Sequence, residues 1–178
     1  MITLVTGGAR SGKSRFAEGK YLDKEDVVYI ATSRIWDEEM QERVNHHQAS
    51  RPGIWRTYEG NYNLIEAIGD EKHYLLDCLT VLTSNIMFDI SKDNEYIDFE
   101  LQREVEDTVV KEITSLINLV KSNGYDLSLV TNEVGMSIVP DNHVSRVFRD
   151  IQGRVNQRIA AISQEVYLVC CGIPVKIK

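Results

Sequence analysis

The chain has 178 residues, 43% apolar and 26% charged. This is about one domain's length at ~150 residues per domain, with a globular balance that excludes collagen, intrinsic disorder and a disulfide-built scaffold. Twenty lysines and arginines against 27 aspartates and glutamates leave a net charge of −7, which repels phosphate backbones and speaks against nucleic-acid binding.

No apolar run approaches the ~20 residues of a membrane span, and Met1–Val5 is too short and uncharged for a signal peptide. The three cysteines (Cys78, Cys170, Cys171) are odd in number and lack metal-ligand spacing. They fit a cytoplasmic chain whose thiols are small buried apolar groups. Five continuously apolar runs are the expected strands: Ile2–Thr6, Val27–Ala31, Tyr74–Asp77, Leu127–Thr131 and Val166–Cys170. Continuous rather than alternating apolarity marks strands covered on both faces. Trp55–Tyr58 and Val175–Ile177 are expected as further, edge strands.

Helical patterns lie between these runs. A Gly-rich turn leads into a helix from about Lys13. Over Phe99–Ser122, the residues Leu101, Val105, Val109, Ile113, Leu116, Ile117 and Val120 form one stripe, with Gly124 as a stop signal. Val147, Ile151, Val155, Ile159 and Ile162 form another. Strands alternating with helices imply parallel βαβ units, hence an α/β fold with a mostly parallel central sheet flanked by helices. Ligands then bind at the carboxyl ends of the strands, just after Thr6, Ala31, Leu76 and Thr131.

After the first strand, Gly7-Gly8-Ala9-Arg10-Ser11-Gly12-Lys13-Ser14 matches G-x-x-x-x-G-K-[ST] in full. Glycines let the backbone wrap an anion with N–H groups inward, and the following helix offers its positive end. Lys13 is expected to reach the β- and γ-phosphates and the Ser14 hydroxyl to hold Mg²⁺. This makes residues 1–178 a single P-loop nucleotide-binding catalytic domain of the P-loop NTPase, RecA-like class. His73–Asp77 is an apolar run ending in an acid. Asp77 is the candidate second magnesium carboxylate, directly or through a water; its alternative role is to cap a following helix. The guanine-reading Asn-Lys-x-Asp motif is absent.

The segment from Asp37 to Pro52 carries Arg43, His46, His47 and Arg51. Asp37 reads as a helix N-cap. At 100° per residue, Met40, Val44 and His47 share a face that would pack on the protein body, while His46 projects elsewhere. An imidazole between two guanidiniums is kept neutral and nucleophilic near pH 7, which suggests attack of His47 on phosphorus. The other reading is a satisfied histidine in a solvated helix.

These residues together resemble a known family. Gly7–Ser14, Arg43…His47…Arg51-Pro52, Trp55-x-Thr57-x-Glu59, Leu76-Asp77-Cys78-Leu79-Thr80, Asn132-Glu133-Val134-Gly135…Val139-Pro140, Phe148-Arg149-Asp150…Gly153…Asn156-Gln157 and Gly172-Ile173-Pro174-Val175-Lys176 recur in that order. The pattern is similar to the bifunctional adenosylcobinamide kinase/adenosylcobinamide-phosphate guanylyltransferase family of cobalamin biosynthesis.

The resemblance implies phosphorylation of adenosylcobinamide by a nucleoside triphosphate, then transfer of GMP from GTP through a guanylyl-histidine, His47, to give adenosylcobinamide-GDP. It implies GTP and ATP as substrates, Mg²⁺, and a homo-oligomer, a trimer. It implies nucleotide contacts at the P-loop, Ala31, Thr32, Ser33, Gln48, Ala49, Ser50, Arg51 and Glu59. Glu133 is expected to polarise a water, position the hydroxyl or fix the Gly135 turn. Ser137 stands where the family pattern has a glycine, so a looser turn is expected there. The competing functions are a P-loop small-molecule kinase without a covalent histidine step and a nucleotide-sensing module without turnover.

Overall fold

Strands without a polar face must be covered on both sides, and the chain does this with one sheet. The structure is a computed structural model that describes residues 1–35, 38, 41, 42, 45, 51–92, 94 and 96–178. Among the described residues the strands are β1 (Ile2–Gly7), β2 (Val27–Ala31), β3 (Arg56–Glu59), β4 (His73–Asp77), β5 (Asp126–Val130), β6 (Glu165–Cys170) and β7 (Ile173–Lys176). They pair in the order β3-β2-β4-β5-β1-β6-β7. All pairs are parallel except β6–β7. This bears out the mostly parallel, helix-flanked sheet, with β3 and β7 as the expected edges. One strand, β5, separates the P-loop strand from the strand that ends in Asp77.

Alternate strand residues feed two cores. Leu4, Val28, Ile30, Leu76, Leu127 and Leu129 face the larger one, covered by α2 (Leu79–Ser91), α3 (Phe99–Ser122) and α4 (His143–Ile162). The stripes expected on α3 and α4 are buried there, apart from the partly exposed Leu101 and Ile162. Asp98 caps α3 by accepting from the Leu101 N–H at 2.9 Å. Asn142 caps α4 by accepting from the Ser145 N–H at 2.7 Å. Helix α2 was not legible as a stripe, because Leu79, Thr80, Leu82, Thr83, Asn85, Ile86 and Met87 are all buried and go round most of the helix.

Val5, Val27, Tyr29, Leu75, Val130 and Val169 face the smaller core, with Ala17 of α1 (Lys13–Gly19), Tyr21 and Trp55. This side contains charge. Glu18 of α1 is 8% exposed. Burial, reinforced by the charge of Asp77, pushes its carboxyl up to about 7, against the pull of Arg51. The Arg51 guanidinium carbon sits 3.5 Å from the centroid of the Tyr29 ring, a cation–π contact.

The cysteine expectation is corrected: Cys170 and Cys171 are exposed, and only Cys78 is partly enclosed. The register pairs Cys170 with Ile173, which leaves Cys171 and Gly172 as a two-residue hairpin loop with φ of 53° and 78°. Two positive φ values are the type I′ requirement, met best by Asn-Gly. Cysteine at the first position is strained, because its Cβ crowds the following carbonyl.

Two outcomes follow from these packing facts. Cys171→Asn should stabilise the fold by about 0.5–1 kcal/mol, read as a higher Tm; an unchanged or lower Tm would contradict the strain. Because the folded carboxyl of Glu18 holds its proton up to about pH 7 against an ordinary 4.5, the native state binds more protons in that window. Stability therefore falls as pH rises through it. Glu18→Gln should match the parent near pH 4.5 and exceed it at pH 8 by up to about 3 kcal/mol, measured by denaturant titration at both pH values. A gap independent of pH would be inconsistent with that burial.

Candidate active site at the carboxyl edge of the sheet

The P-loop leaves β1 at Gly7 and enters α1 at Lys13. Its turns demand glycine at two places. A Cβ at Gly7 would run into the Val169 carbonyl oxygen, and Gly12 has φ of 93° with Gly172 Cα 3.1 Å from where a Cβ would stand. The loop is held from both sides. The Glu133 N–H donates to the Gly7 carbonyl at 3.2 Å, and the Gly172 N–H donates to the Ser11 carbonyl at 2.8 Å. Lys13 is 9% exposed, and its Nζ donates to the Gly8 carbonyl at 3.0 Å. Burial lowers its pKa, and the charge of Asp77 works against that shift.

Two strand spacings separate β1 from β4, about 10 Å, so a lysine stem is needed to bring these charges together. Asp77 does not cap the next helix. Cys78 does, its Sγ accepting from the Val81 N–H at 3.4 Å. Asp77 Oδ2 is buried with no hydrogen-bond partner among the described residues. The Cys78 thiol is pushed up to about 12 by burial and by Asp77.

Ala31 is in register with both Glu59 and Asp77, so these three share one row at the carboxyl edge. Thr32 is fully buried and clamps this edge: its hydroxyl donates to the Cys78 carbonyl at 2.8 Å and accepts from the Cys78 N–H at 3.0 Å. Ser33 is half-buried beside it. Glu59 is exposed and lies four strand spacings from β1, about 19 Å, so it is not brought next to the P-loop. Arg51 reaches the smaller core at Tyr29, and Tyr29 lies close to Asp77; burial, then that carboxylate, pushes the Tyr29 phenol far up.

His47, Gln48, Ala49 and Ser50 lie outside the described residues, as do Met40, Arg43, Val44 and His46. Glu38, Gln41, Glu42 and Asn45 are helical and exposed, with Gln41 Nε2 donating to Asn45 Oδ1 at 2.9 Å. Arg34, ahead of this segment, makes a bidentate pair with Asp89 of α2 at 2.7 and 2.6 Å.

Glu133 has a definite place. Its Oε1 accepts from the Thr6 hydroxyl at 2.7 Å and from Asn156 Nδ2 at 3.3 Å. The Thr131 hydroxyl donates to Asn156 Oδ1 at 2.8 Å, and Gln152 Nε2 donates to the same oxygen at 2.8 Å. At Ser137, where a looser turn is expected, the backbone is extended with φ of −131°, which any residue adopts, and the hydroxyl donates to the Val134 carbonyl at 2.8 Å. Sequence reasoning missed Tyr29, Glu18, Thr131 and Gln152. Tyr29 looked like strand bulk, and the other three gave no periodic signal, although an acid five residues after the P-loop lysine is a legible oddity.

Among the described residues no helix is long and apolar enough to cross a membrane, and no group of three or more His, Cys, Asp or Glu side chains is placed to hold a metal ion by itself.

Compared with known proteins, residues 3–177 match the family described as cobinamide kinase / cobinamide phosphate guanyltransferase. The chain is 47% identical over 182 residues to the bifunctional adenosylcobalamin biosynthesis protein CobU of Escherichia coli (strain K12), covering all of both chains. It is 46% identical over 185 residues to the protein of the same name from Salmonella typhimurium (strain LT2), again covering all of both. It is 34% identical over 183 residues to the bifunctional adenosylcobalamin biosynthesis protein CobP of Pseudomonas aeruginosa (strain PAO1), covering all of this chain and 98% of that one. A likeness that runs from the first strand through the phosphate loop to the last strand is one of whole chains, and on it this chain belongs to the cobinamide kinase / cobinamide phosphate guanyltransferase family.

Proposed function

We propose that the carboxyl edge of the sheet performs both reactions of the family on one bound nucleotide site. The chain is a bifunctional kinase and guanylyltransferase of adenosylcobalamin biosynthesis, as its family and full-length relatives are. The observation that supports the assignment to this edge is that Lys13, buried inside a complete P-loop, lies within the field of Asp77, a carboxylate released from capping duty.

In the kinase reaction Gly7–Ser14 and Lys13 hold the triphosphate of ATP or GTP, and the γ-phosphoryl passes to the aminopropanol hydroxyl of adenosylcobinamide. Lys13 neutralises charge on the phosphates as the bond to the leaving oxygen breaks. In the second reaction an imidazole nitrogen of His47 attacks the α-phosphorus of GTP and pyrophosphate leaves. The phosphate of the phosphorylated corrinoid then displaces the histidine to give adenosylcobinamide-GDP. A covalent intermediate splits one hard displacement into two easier ones. Arg51, Gln48, Ala49, Ser50, Ala31, Thr32, Ser33 and Glu59 complete the proposed nucleotide contacts. Thr32 acts there through its backbone, since its hydroxyl is committed to Cys78.

The donor set suits Mg²⁺. Ser14 is the second residue of α1, and the buried Oδ2 of Asp77 has no hydrogen-bond partner among the described residues. One carboxylate, a hydroxyl and substrate phosphates are the way this ion is held. Bound there, it would neutralise charge on the phosphate oxygens.

Lys13→Ala should slow both reactions by on the order of 10²-fold or more; rates within a fewfold of the parent would refute its role. With α-labelled GTP the parent should retain acid-labile, base-stable label after denaturation. His47→Ala should retain none, yet still phosphorylate adenosylcobinamide with ATP. Label retained in His47→Ala would move the nucleophile elsewhere. A parent that never takes label while the GDP product accumulates would leave only direct transfer.

A further inference from the structure

Two thiols stand beside the phosphate loop with no part in either reaction. Cys170 ends β6 and Cys171 begins the hairpin loop. Both are exposed, and their sulfurs are 3.9 Å apart. Tetrahedral coordination with metal–sulfur bonds of about 2.3 Å requires two sulfurs about 3.8 Å apart, so the pair is already spaced to chelate. Among the described residues no third His, Cys, Asp or Glu joins them, so a captured acceptor would keep its remaining positions for outside ligands.

Cys171 has φ of 53°, in a turn whose geometry favours asparagine. A strained residue that the fold does not need is a reason to look for a function. The next residue touches the phosphate loop twice: the Gly172 N–H donates to the Ser11 carbonyl at 2.8 Å, and Gly172 Cα lies 3.1 Å from where a Cβ of Gly12 would be.

We propose that Cys170 and Cys171 form a chelating dithiol for soft, thiophilic acceptors, and that its occupation loosens the phosphate loop and weakens nucleotide binding. With a trivalent aryl arsenoxide as acceptor, two arsenic–sulfur bonds form and the arsenic–oxygen bond breaks. The two thiol protons leave with that oxygen as one water, and nothing is oxidised or reduced. Trivalent arsenic is pyramidal and holds its two sulfurs closer together than a tetrahedral metal does, so its capture draws the pair in from 3.9 Å and turns the Cys171 backbone, and with it the Gly172 N–H that holds Ser11. The coupling is reciprocal, so bound nucleotide weakens acceptor capture by the same factor. This coupling rests on Gly7–Ser14 being the nucleotide site; the chelation itself does not.

The probe is phenylarsine oxide on the full chain, read by intact mass and by GTP titration. One arsenical per chain is expected, removed by 2,3-dimercaptopropanol but not by an equivalent concentration of 2-mercaptoethanol. The Kd for GTP should rise about fivefold or more. Cys170→Ser and Cys171→Asn should take up no arsenical and keep their GTP affinity in its presence. Uptake that persists in both variants overturns the dithiol site. Stoichiometric uptake with unchanged GTP affinity overturns the coupling while leaving the phosphate-loop assignment standing. A parent that binds no GTP before any arsenical is added overturns that assignment and the coupling together.

Discussion

A lysine ammonium taken out of water needs negative charge and hydrogen-bond acceptors around it. Much of this structure serves to supply them to Lys13. The loop carbonyl of Gly8 accepts a hydrogen bond from it, and Asp77 lends it charge from two strand spacings away. For Asp77 to remain available, another residue must cap the helix that follows, and Cys78 does so. For the strand end to stay in place around a free carboxylate, Thr32 must bond both the amide and the carbonyl of Cys78. The lysine, the acid, the sulfur cap and the threonine clamp are one arrangement, and each loses its purpose without the others.

A second set of bonds keeps the loop from drifting along the sheet. Thr6, the last side chain before the phosphate loop, donates to Glu133. Asn156 of α4 donates to the same carboxylate, and Thr131 and Gln152 lock Asn156 in turn. Thr6, Thr131, Gln152 and Asn156 are buried, so these bonds have no competition from water and a broken one leaves an unsatisfied group. Glu133 is therefore a brace between α4 and the strand that leads into the phosphate loop.

The strand core and the phosphate loop were legible because each rests on local signals: continuous apolar runs, a fixed glycine spacing, a three-and-four stripe. The edges β3 and β7 were legible for the same reason, with boundaries displaced by a residue or two. Helix α2 was not, since a helix buried around most of its circumference has no stripe to read. Nor was the Glu18–Tyr29–Arg51–Asp77 grouping, because its members come from one helix, two strands and a loop and meet only through the sheet order. The exposure of Cys170 and Cys171 contradicted composition-based reasoning, which treats thiols as core atoms and cannot see that the chain reverses direction at that point.

The proposed pair of reactions on one triphosphate needs one part of the site fixed and another able to address different phosphorus atoms. The fixed part is plain: α1, the phosphate loop and Asp77 are tied to the sheet by backbone bonds and burial. The segment that carries His47 is tied at points outside itself. Arg34 grips Asp89 of α2 through two short charge-assisted bonds, and Tyr62 donates to the same aspartate at 3.0 Å. At the other end Arg51 lies on Tyr29, within the field of Glu18. The chain on either side of that segment is thus held by a cation, and the second of these contacts sits on the Tyr29 ring beside Asp77.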